Sequence, residues 1–361
     1  MNNRVITKAL VAATAAVLMA PVSWAAVTPF SQNFELLSPA NEFAISGVGF
    51  QFFGTVFDGA AAPAPYGVVL FGYGPFPAPT ISGNISSIAT GEGGLLTPQG
   101  LQYLNVFSDY ACCGGPAQGH QDPGPLNFDY VQTNVFIEQA IGPADVGPGK
   151  VWTLTFDAKL PGDLLGCEPT TTSDCLAFIK TLDPNAGFAQ TNFITFDAQT
   201  LSNTVWTTKS LSINLANPLL NGQILQFGFV STSKQFGATG VYYDNMVFAL
   251  APDTDVDGIQ DPIDNCRLVA NPLQQDANLD GYGNICDADI NNSGTVTAAD
   301  FGLLRSVLGQ AAGSSATAAA SDMNSSGTVT AGDFGLLRAR LGTPVGPSGL
   351  PCAGTIPCPA P

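Results

Sequence analysis

The C-terminal third of the chain is organised around a stretch that occurs twice, DINNSGTVTAADFGLLRSVLG at residues 289–309 and DMNSSGTVTAGDFGLLRARLG at residues 322–342. The copies are offset by 33 residues and are identical at 16 of 21 aligned positions. Each begins with a polar run and continues into an apolar pattern with helical spacing. A short helix cannot bury its apolar stripe alone, so we expect the two copies to pack together about a pseudo-twofold axis.

Both polar runs fit the twelve-position calcium loop of the EF-hand type. Oxygen ligands come from positions 1, 3, 5, 7, 9 and 12, position 7 supplies its backbone carbonyl, and Gly at position 6 allows a sharp turn. Two upstream segments fit the same template. The predicted ligands of the four loops are Asp253, Asp255, Asp257, Ile259, Asp261 and Asp264; Asp276, Asn278, Asp280, Tyr282, Asn284 and Asp287; Asp289, Asn291, Ser293, Thr295, Thr297 and Asp300; and Asp322, Asn324, Ser326, Thr328, Thr330 and Asp333.

Four matches within 81 residues, each with Gly at position 6 and Asp at position 12, predict about four calcium ions. An acidic disordered linker would not keep that register. The clustered aspartates repel one another, and the segment has few apolar residues, so calcium is expected to supply folding energy. The first loop has five carboxylates, the second three and the last two have two each, which predicts that the last two release calcium first.

Each repeated loop is followed by the sequence Asp-Phe-Gly-Leu-Leu-Arg. The expected apolar stripes are Phe301, Leu304 and Leu308 before Gly309, and Phe334, Leu337 and Leu341 before Gly342. The duplicated unit 289–342 resembles a type I dockerin, which implies calcium ligands in both loops and a cohesin-like protein as partner. Ser at position 5 departs from the commoner acid or amide, and the positions that help choose a cohesin, Ala298-Ala299 and Ala331-Gly332, are small.

The two upstream loops are followed by no helical pattern. The run Asp253–Asp287 contains Asp264-Asn265-Cys266 and Asn271-Pro272, and it resembles a thrombospondin type 3 repeat. The resemblance implies a calcium-filled spacer over residues 251–288, with Cys266–Cys286 as its disulfide. Composition marks the start of this region, because residues 251–361 contain twelve aspartates and no glutamate.

Residues 26–250 are predicted to form one mainly β domain, an antiparallel β-sandwich. Short alternating runs recur between Gly, Pro and Asn, for example at Val151–Phe156 and Ile224–Phe229. Many short strands in about 220 residues favour a sandwich over a parallel sheet with helices. The remaining expected strands are Leu101–Phe107, Val131–Ile137, Asn192–Phe196, Val205–Ile213 and Val241–Phe248.

This domain resembles the jelly-roll carbohydrate-binding modules of secreted bacterial proteins. The resemblance is carried by Asn33-Phe34-Glu35 as a first strand, Trp152–Lys159 as a central strand and Tyr243–Val247 as a closing strand. It implies that the first and last strands lie side by side. Glu35 and Asp244 would then share a further calcium ion, unless both are ordinary polar residues at strand ends.

Sugar binding requires exposed aromatic rings with polar groups around them. The expected candidates are the loop-rich stretch Phe71–Phe76 and Tyr103, Tyr110 and Tyr130. Catalysis is disfavoured because no recognisable paired-carboxylate strand motif is present, and a lone His120 beside Asp109 and Asp122 is more often a surface residue. We therefore expect no catalytic residues.

The first 25 residues have the pattern of a signal peptide. Arg4 and Lys8 precede an apolar run of about 12 residues, too short for a bilayer span of ~20 residues, and Ser23-Trp24-Ala25 ends in a cleavage signal. The chain carries a formal net charge of -17 with 11 Lys and Arg, which disfavours nucleic acid and anionic membranes as partners. A secreted or cell-surface location follows, without a membrane span.

Eight cysteines suit an oxidising compartment. The simplest pairing, by sequence neighbour, gives Cys167–Cys175, Cys266–Cys286 and Cys352–Cys358, with Cys112-Cys113 as a vicinal bridge or as reduced thiols, but spacing alone leaves the connectivity open. The Pro- and Gly-rich tail, residues 343–361, is then either a disulfide-ordered cap or a flexible end. The sequence favours a non-catalytic binding protein, with a polysaccharide-acting hydrolase and a structural surface or matrix protein as alternatives.

Overall fold

The computed structural model describes residues 26–41, 43–58, 68–73, 88–91, 97–108, 130–162, 174–234 and 239–358. The predicted signal peptide lies outside these residues. The chain divides into two compact units. One holds the residues up to 146 together with 153–213 and 218–249, and the other holds 147–152, 214–217 and 250–361.

The first unit consists of β-strands in two sheets. The strand pairings that define these sheets are antiparallel. The strands are β1 Phe30–Gln32, β2 Gln51–Asp58, β3 Val68–Tyr73, β4 Ile88–Thr90, β5 Gln102–Ser108, β6 Tyr130–Ala140, β7 Val151–Lys159, β8 Asp174–Asp183, β9 Ala189–Asp197, β10 Thr207–Asn214, β11 Ile224–Lys234 and β12 Thr239–Leu250.

Sheet A has the order β10-β7-β12-β5-β4 with β1 also on β12, and sheet B has the order β3-β2-β6-β11-β8-β9. Aromatic side chains join the two sheets face to face. The rings of Phe227 and Phe248 stack with centroids 3.9 Å apart, and those of Phe229 and Tyr243 stack at 3.7 Å. These rings are fully buried, so the core lies between the sheets and the predicted β-sandwich is confirmed.

All seven of the expected runs coincide with strands, and β1 lies beside β12 as the resemblance implied, with Phe30 opposite Phe248. Two expectations were wrong. Asn33-Phe34-Glu35 follows the first strand instead of forming it, and Phe34 has a left-handed φ of 59°. Residues 71–73, expected in a loop, end β3 because they pair with β2.

The second unit contains three short helices, α1 Ala298–Ser306, α2 Ala316–Ser321 and α3 Ala331–Ala339. Its apolar core combines both sequence repeats, as predicted. The buried members are Ala288, Val296, Leu304, Val307, Ala318, Met323, Val329 and Leu337. The expected stripe was wrong at its third position, because Leu308 and Leu341 lie beyond the helix ends and are 53% and 55% exposed.

Two predicted disulfides are present, Cys266–Cys286 and Cys352–Cys358. Cys175 is also disulfide-bonded, and its expected partner Cys167 lies outside the described residues, as do Cys112 and Cys113. The described part of the tail, residues 343–358, packs on the upstream loops. Backbone N–H groups of Gly346 and Gly349 donate to the carbonyls of Cys286 and Asp264.

Candidate calcium-binding site

The four predicted loops share one backbone conformation. The residue at position 4 is left-handed in every loop, and the glycine at position 6 has a φ between 86° and 95°. A positive φ is the conformation that glycine adopts without strain, so the residue type and the turn agree. The position-4 residues are Val256, Leu279, Asn292 and Ser325, and the position-6 residues are Gly258, Gly281, Gly294 and Gly327.

The position-1 aspartate ties each turn together. In every loop its carboxylate accepts a hydrogen bond from the N–H of the position-6 glycine. In three loops it also accepts from position 5, for example from Ser293 to Asp289 at 3.0 Å, and in the second loop it accepts from Leu279. Local hydrogen bonds of this kind stabilise the turn without help from a bound ion.

Oxygen atoms from different positions converge in the two repeated loops. The Ser293 hydroxyl lies 3.2 Å from an Asp289 oxygen and 3.1 Å from the Thr295 carbonyl oxygen. The Ser326 hydroxyl makes the corresponding contacts with Asp322 and Thr328 at 3.3 and 3.0 Å. Positions 1, 5 and 7 therefore present hard oxygen atoms to one point, which is the donor set that calcium prefers.

The first loop shows the strongest electrostatic demand for a cation. The carboxylates of Asp253, Asp255 and Asp257 each offer an oxygen within 4.8 Å of the others. Within the described residues, neither side-chain oxygen of Asp255 has a hydrogen-bond partner. Burial raises the pKa of Asp255, and the charges of Asp257 and Asp264 add to that shift. A divalent cation would relieve this repulsion, so the residues fit calcium.

The position-9 side chains are committed to hydrogen bonds within the protein. Asp261 accepts from the N–H and hydroxyl of Thr254 and from Arg267, at 2.8, 2.7 and 3.2 Å. Asn284 accepts from Ala277 and donates to the Ala319 carbonyl. The sequence template did not anticipate these roles.

In the repeated loops the position-9 residues are helix N-caps. The hydroxyls of Thr297 and Thr330 accept hydrogen bonds from the backbone N–H two residues later. Each also completes a capping box with the aspartate at position 12. All four position-9 side chains thus make hydrogen bonds that support the loop or the helix after it, and their role as calcium ligands stays a prediction.

The position-12 aspartates are all buried. Asp300 accepts from the N–H of Asn291 at 3.1 Å and from the N–H and hydroxyl of Thr297 at 2.7 and 2.9 Å. Asp333 repeats these contacts with Asn324 and Thr330. Asp300 and Asp333 therefore each connect a calcium loop to the first turn of the helix that follows it.

The two repeats exchange backbone hydrogen bonds reciprocally. Gly309 donates to the Val329 carbonyl at 2.8 Å, and Gly342 donates to the Val296 carbonyl at 2.9 Å. These bonds are related by the same offset of 33 residues as the sequences. The rings of Phe301 and Phe334 meet across the pair with centroids 5.1 Å apart. This is the pseudo-twofold arrangement expected from the duplication.

Residues 287–342 match the model of the dockerin type I domain. The dockerin domain thus comprises both repeated loops and all three helices. The thrombospondin type 3 resemblance of residues 253–287, the upstream loop segment, stays a prediction. A comparison with curated proteins finds no match to this chain.

Solved structures that are similar to this chain share little sequence with it. A bacteriophage CBA120 tailspike protein 4 enzymatically active domain is 14% identical, covering 46% of this chain and 18% of that one, with a TM-score of 0.28. A carbohydrate-binding module from the β-sandwich superfamily is 12% identical, with coverages of 45% and 52% and a TM-score of 0.26. A xylan-binding domain from Paenibacillus barcinonensis is 7% identical, with coverages of 46% and 86% and a TM-score of 0.25.

The fifth predicted calcium position lies in the β-sandwich. Glu35 accepts hydrogen bonds from the N–H groups of Leu101 and Gln102, both at 2.8 Å. Asp244 is fully buried, and among the described residues its Oδ2 has no hydrogen-bond partner. Burial raises the pKa of Asp244 to about 7, the hydrogen bond from Asn245 opposes the shift, and the charge of Glu35 adds to it. A shared ion at Glu35 and Asp244 stays a prediction.

The expected sugar-binding aromatics are only partly described. Tyr103 is buried, donates to the Thr90 carbonyl at 3.0 Å and packs its ring 4.6 Å from that of Tyr242, so its expected role as an exposed platform was wrong. Tyr110, residues 74–76 and the His120 loop lie outside the described residues. In the described part of the chain, no helix is long and apolar enough to cross a membrane.

Sequence reasoning missed an apolar cluster on the face of sheet B that points away from sheet A. We call this set the outer-face cluster. Its buried members are Phe136, Phe178 and Val230, and Phe53 and Leu176 pack against them. Gly228 pairs with both Phe136 and Phe178, so these three residues share one face of sheet B. The next residue, Phe229, points to the opposite face and lies in the core between the sheets. The missed signal was the apolar character of both faces of β8.

Polar groups border the outer-face cluster. The Lys180 ammonium lies 4.9 Å from the centre of the Phe178 ring, and burial lowers its pKa, opposed in part by the charge of Glu138. The Gln226 amide donates to Glu138 at 2.6 Å. The ring of Phe193 is 49% exposed and lies 6.4 Å from that of Phe178. One exposed ring, Phe193, and several hydrogen-bonding groups therefore lie on the same face of sheet B.

Proposed function

We propose that this chain is a secreted, non-catalytic modular protein that attaches to a cohesin-like partner through its calcium-loaded dockerin domain. The dockerin type I match at residues 287–342 carries this proposal. Its support in the structure is the duplicated loop-and-helix unit, in which each calcium loop is joined to its helix by a buried position-12 aspartate. The β-sandwich would then be the module that the dockerin domain attaches.

Calcium would be held in the dockerin domain by the aspartates at positions 1 and 12, the side chains at positions 3 and 5, and the position-7 carbonyls. When bound, the ion supplies positive charge that gathers these oxygen atoms. The residues themselves shape the loops and cap the helices. Because the domain has one small core, loss of the ion is expected to loosen both helices.

The partner would contact the exposed faces of α1 and α3. Arg305 and Arg338 lie on these faces at equivalent positions and are exposed, although part of their role is local because cations are favourable near helix C-termini. Leu308 and Leu341 are exposed just beyond the helices. An arginine fork binds carboxylates well, so a cohesin-like partner with an acidic surface suits these positions.

Binding of the full chain to a panel of immobilised type I cohesins tests the proposal. We expect binding in calcium that is lost in EDTA and weakened by the Arg305→Ala/Arg338→Ala double variant. Calorimetric calcium titration of that variant should match the unmodified protein, and Lys150→Ala is a matched control outside residues 287–342. Calcium binding without retention by any cohesin would favour the structural surface-protein alternative.

A second candidate function is carbohydrate binding by the β-sandwich. The exposed ring of Phe193 and the polar border of the outer-face cluster favour it, because a sugar ring stacks its C–H face on an aromatic ring while its hydroxyls bind amides and carboxylates. Phe193 offers an exposed ring, and Glu138, Gln226 and Lys180 offer hydrogen-bonding groups nearby.

A glycan array with the full chain tests this function. Phe193→Ala should weaken the strongest glycan signal about tenfold, since stacking on one aromatic ring is worth on the order of 1 kcal/mol beyond the area that it buries. Leu219→Ala is the matched control, because that side chain is 79% exposed but lies outside this face. Hydrolysis of a bound glycan would favour the polysaccharide-acting hydrolase alternative.

A further inference from the structure

The second loop of the upstream segment differs from the other three in what lies over its turn. Gly281 is buried, and a Cβ atom placed on it would lie 2.6 Å from Cys358 Sγ and 2.8 Å from the Ala353 Cα. Among the described residues, a Cβ at the equivalent Gly258, Gly294 or Gly327 would meet no atom within 4 Å. Only this turn of the four is therefore covered.

The cover is the C-terminal tail. The Gly354 N–H donates to the Asp280 carbonyl at 2.7 Å, and the Cys358 N–H donates to the Leu279 carbonyl at 2.6 Å. These carbonyls belong to positions 4 and 5 of the loop. The Cys352–Cys358 disulfide closes residues 352–358 into a ring, so both hydrogen bonds come from one covalently restricted segment.

Further contacts hold the approach of the tail to the upstream segment. The Gly349 N–H donates to the Asp264 carbonyl at 2.8 Å, and the Pro347 carbonyl accepts from Arg267 at 3.1 Å. Leu350, two residues before the Cys352–Cys358 ring, and Cys358, at the end of that ring, are both buried. The tail is thus anchored on both sides of the turn that it covers.

We propose that residues 352–358 form a lid over the calcium loop 276–287, holding its turn closed and slowing the exchange of its ion. The inference rests on the proposed calcium binding. A turn whose backbone carbonyls are bonded to a closed ring loses less freedom on binding, and it must break those bonds to open. The Asp280 side chain, a predicted ligand, is buried, and its backbone carbonyl is one of the two that the tail bonds.

The lid and the charge count make different predictions. The loop at 253–264 has five carboxylates and the loop at 276–287 has three, so charge alone would make the first loop the last to release calcium. With the lid, the second loop is the last to release it. Site-resolved amide hydrogen exchange during chelation by EDTA distinguishes these orders.

The decisive variant is Cys352→Ser/Cys358→Ser in the full chain. We expect the amides of residues 279–282 to exchange about tenfold faster, in calcium and in EDTA. The freed tail bonds the loop carbonyls less firmly, and the loss of about one net backbone hydrogen bond lets the turn open more often. The amides of residues 292–295, in the uncovered loop at 289–300, should be unchanged and report that the unit is folded. Unchanged exchange at 279–282 would overturn the lid.

A matched glycine pair provides a second test. Gly281 and Gly327 both have a φ of 86°, so an alanine strains both backbones equally, but only at Gly281 does it collide with the tail. Gly281→Ala should speed exchange at Gly354 and Cys358, whereas Gly327→Ala should not. Equal effects of the two variants would contradict the lid.

The calcium proposal and the lid fail separately in these experiments. If calcium protects no loop from exchange, the calcium proposal fails, and the comparison in EDTA still decides whether the tail holds the turn. If calcium protects all four loops but the serine variant leaves residues 279–282 unchanged, the lid alone fails.

Discussion

The upstream loop segment and the dockerin domain contain the same twelve-residue loop but stabilise it differently. In both, the position-1 aspartate bonds the position-6 glycine, and position 4 is left-handed. In the dockerin domain the loop leads into a helix that packs on its repeat. In the upstream segment a disulfide and the C-terminal tail take the place of helix packing. A local loop therefore needs a partner structure, and that structure can be apolar or covalent.

The use of position 9 follows from this difference. In the dockerin domain Thr297 and Thr330 cap helices. In the upstream segment, where no such helix follows, Asp261 and Asn284 bond the backbone N–H of position 2 in their own loop. The same template position thus stabilises the following helix in the dockerin domain and the loop itself in the upstream segment.

The largest expected effect is that of calcium removal. EDTA should abolish most of the helical circular dichroism of residues 287–342, because the small core cannot hold two loops of repelling aspartates. The upstream segment should keep more of its amide protection because it is cross-linked. Circular dichroism unchanged by EDTA would exclude calcium-dependent folding of the dockerin domain.

Loss of the central disulfide should have the next largest effect. Cys266→Ser/Cys286→Ser should destabilise the upstream segment by about 3 kcal/mol, the usual value for a closed loop near this length of 20 residues. Hydrogen exchange of peptides from residues 253–287 measures it. Helix α1 should keep its protection in calcium, and equal loss in both regions would show that they are stabilised together.

Alanine substitution should lower calcium affinity more at position 12 than at position 9. Asp300→Ala should weaken calcium binding at its loop about tenfold or more, because it removes a predicted ligand and three hydrogen bonds. Asp261→Ala should affect calcium less, since its oxygens are engaged by Thr254 and Arg267. Calorimetry on each variant checks this, and a larger loss with Asp261→Ala would restore position 9 as a direct ligand.

The smallest expected effect is a pH dependence of the upstream segment in EDTA. Burial, with the charge of Asp280, raises the pKa of Asp287 to about 7 from a value near 4. The folded state therefore favours the protonated acid, so stability falls as pH rises from about 4 to about 7. Hydrogen exchange at pH 5.5 and 8 should show this difference, and Asp287→Asn should remove much of it. An unchanged pH dependence in that variant would assign it to another group.

The sequence predicted those parts of the fold that are set by local patterns. Seven alternating runs coincide with strands because one face of each is buried and the other is more polar. Strand β8 was missed because Leu176 and Phe178 lie in the outer-face cluster while Ala177 and Ile179 are also buried. With apolar residues on both faces, the strand has no alternation to detect.

Part of the site could not be predicted because it depends on distant residues. The helix stripe was extended to Leu308 and Leu341, but the chain leaves the helix first, and in the first repeat Val307 enters the core instead. Tyr103 was expected at the surface, yet neighbouring strands bring Tyr242 against its ring. Periodicity gives a face for each residue and does not say where an element ends or what covers it.

The sequence by itself determined the four loops, their register and the duplication. These features are local, because a left-handed residue, a glycine and an aspartate within twelve positions define the turn through short-range hydrogen bonds. Only the tertiary structure decided which side chains the loops use for support and which loop the tail covers. Those features depend on residues up to about 80 positions apart, and only the folded chain brings such residues into contact.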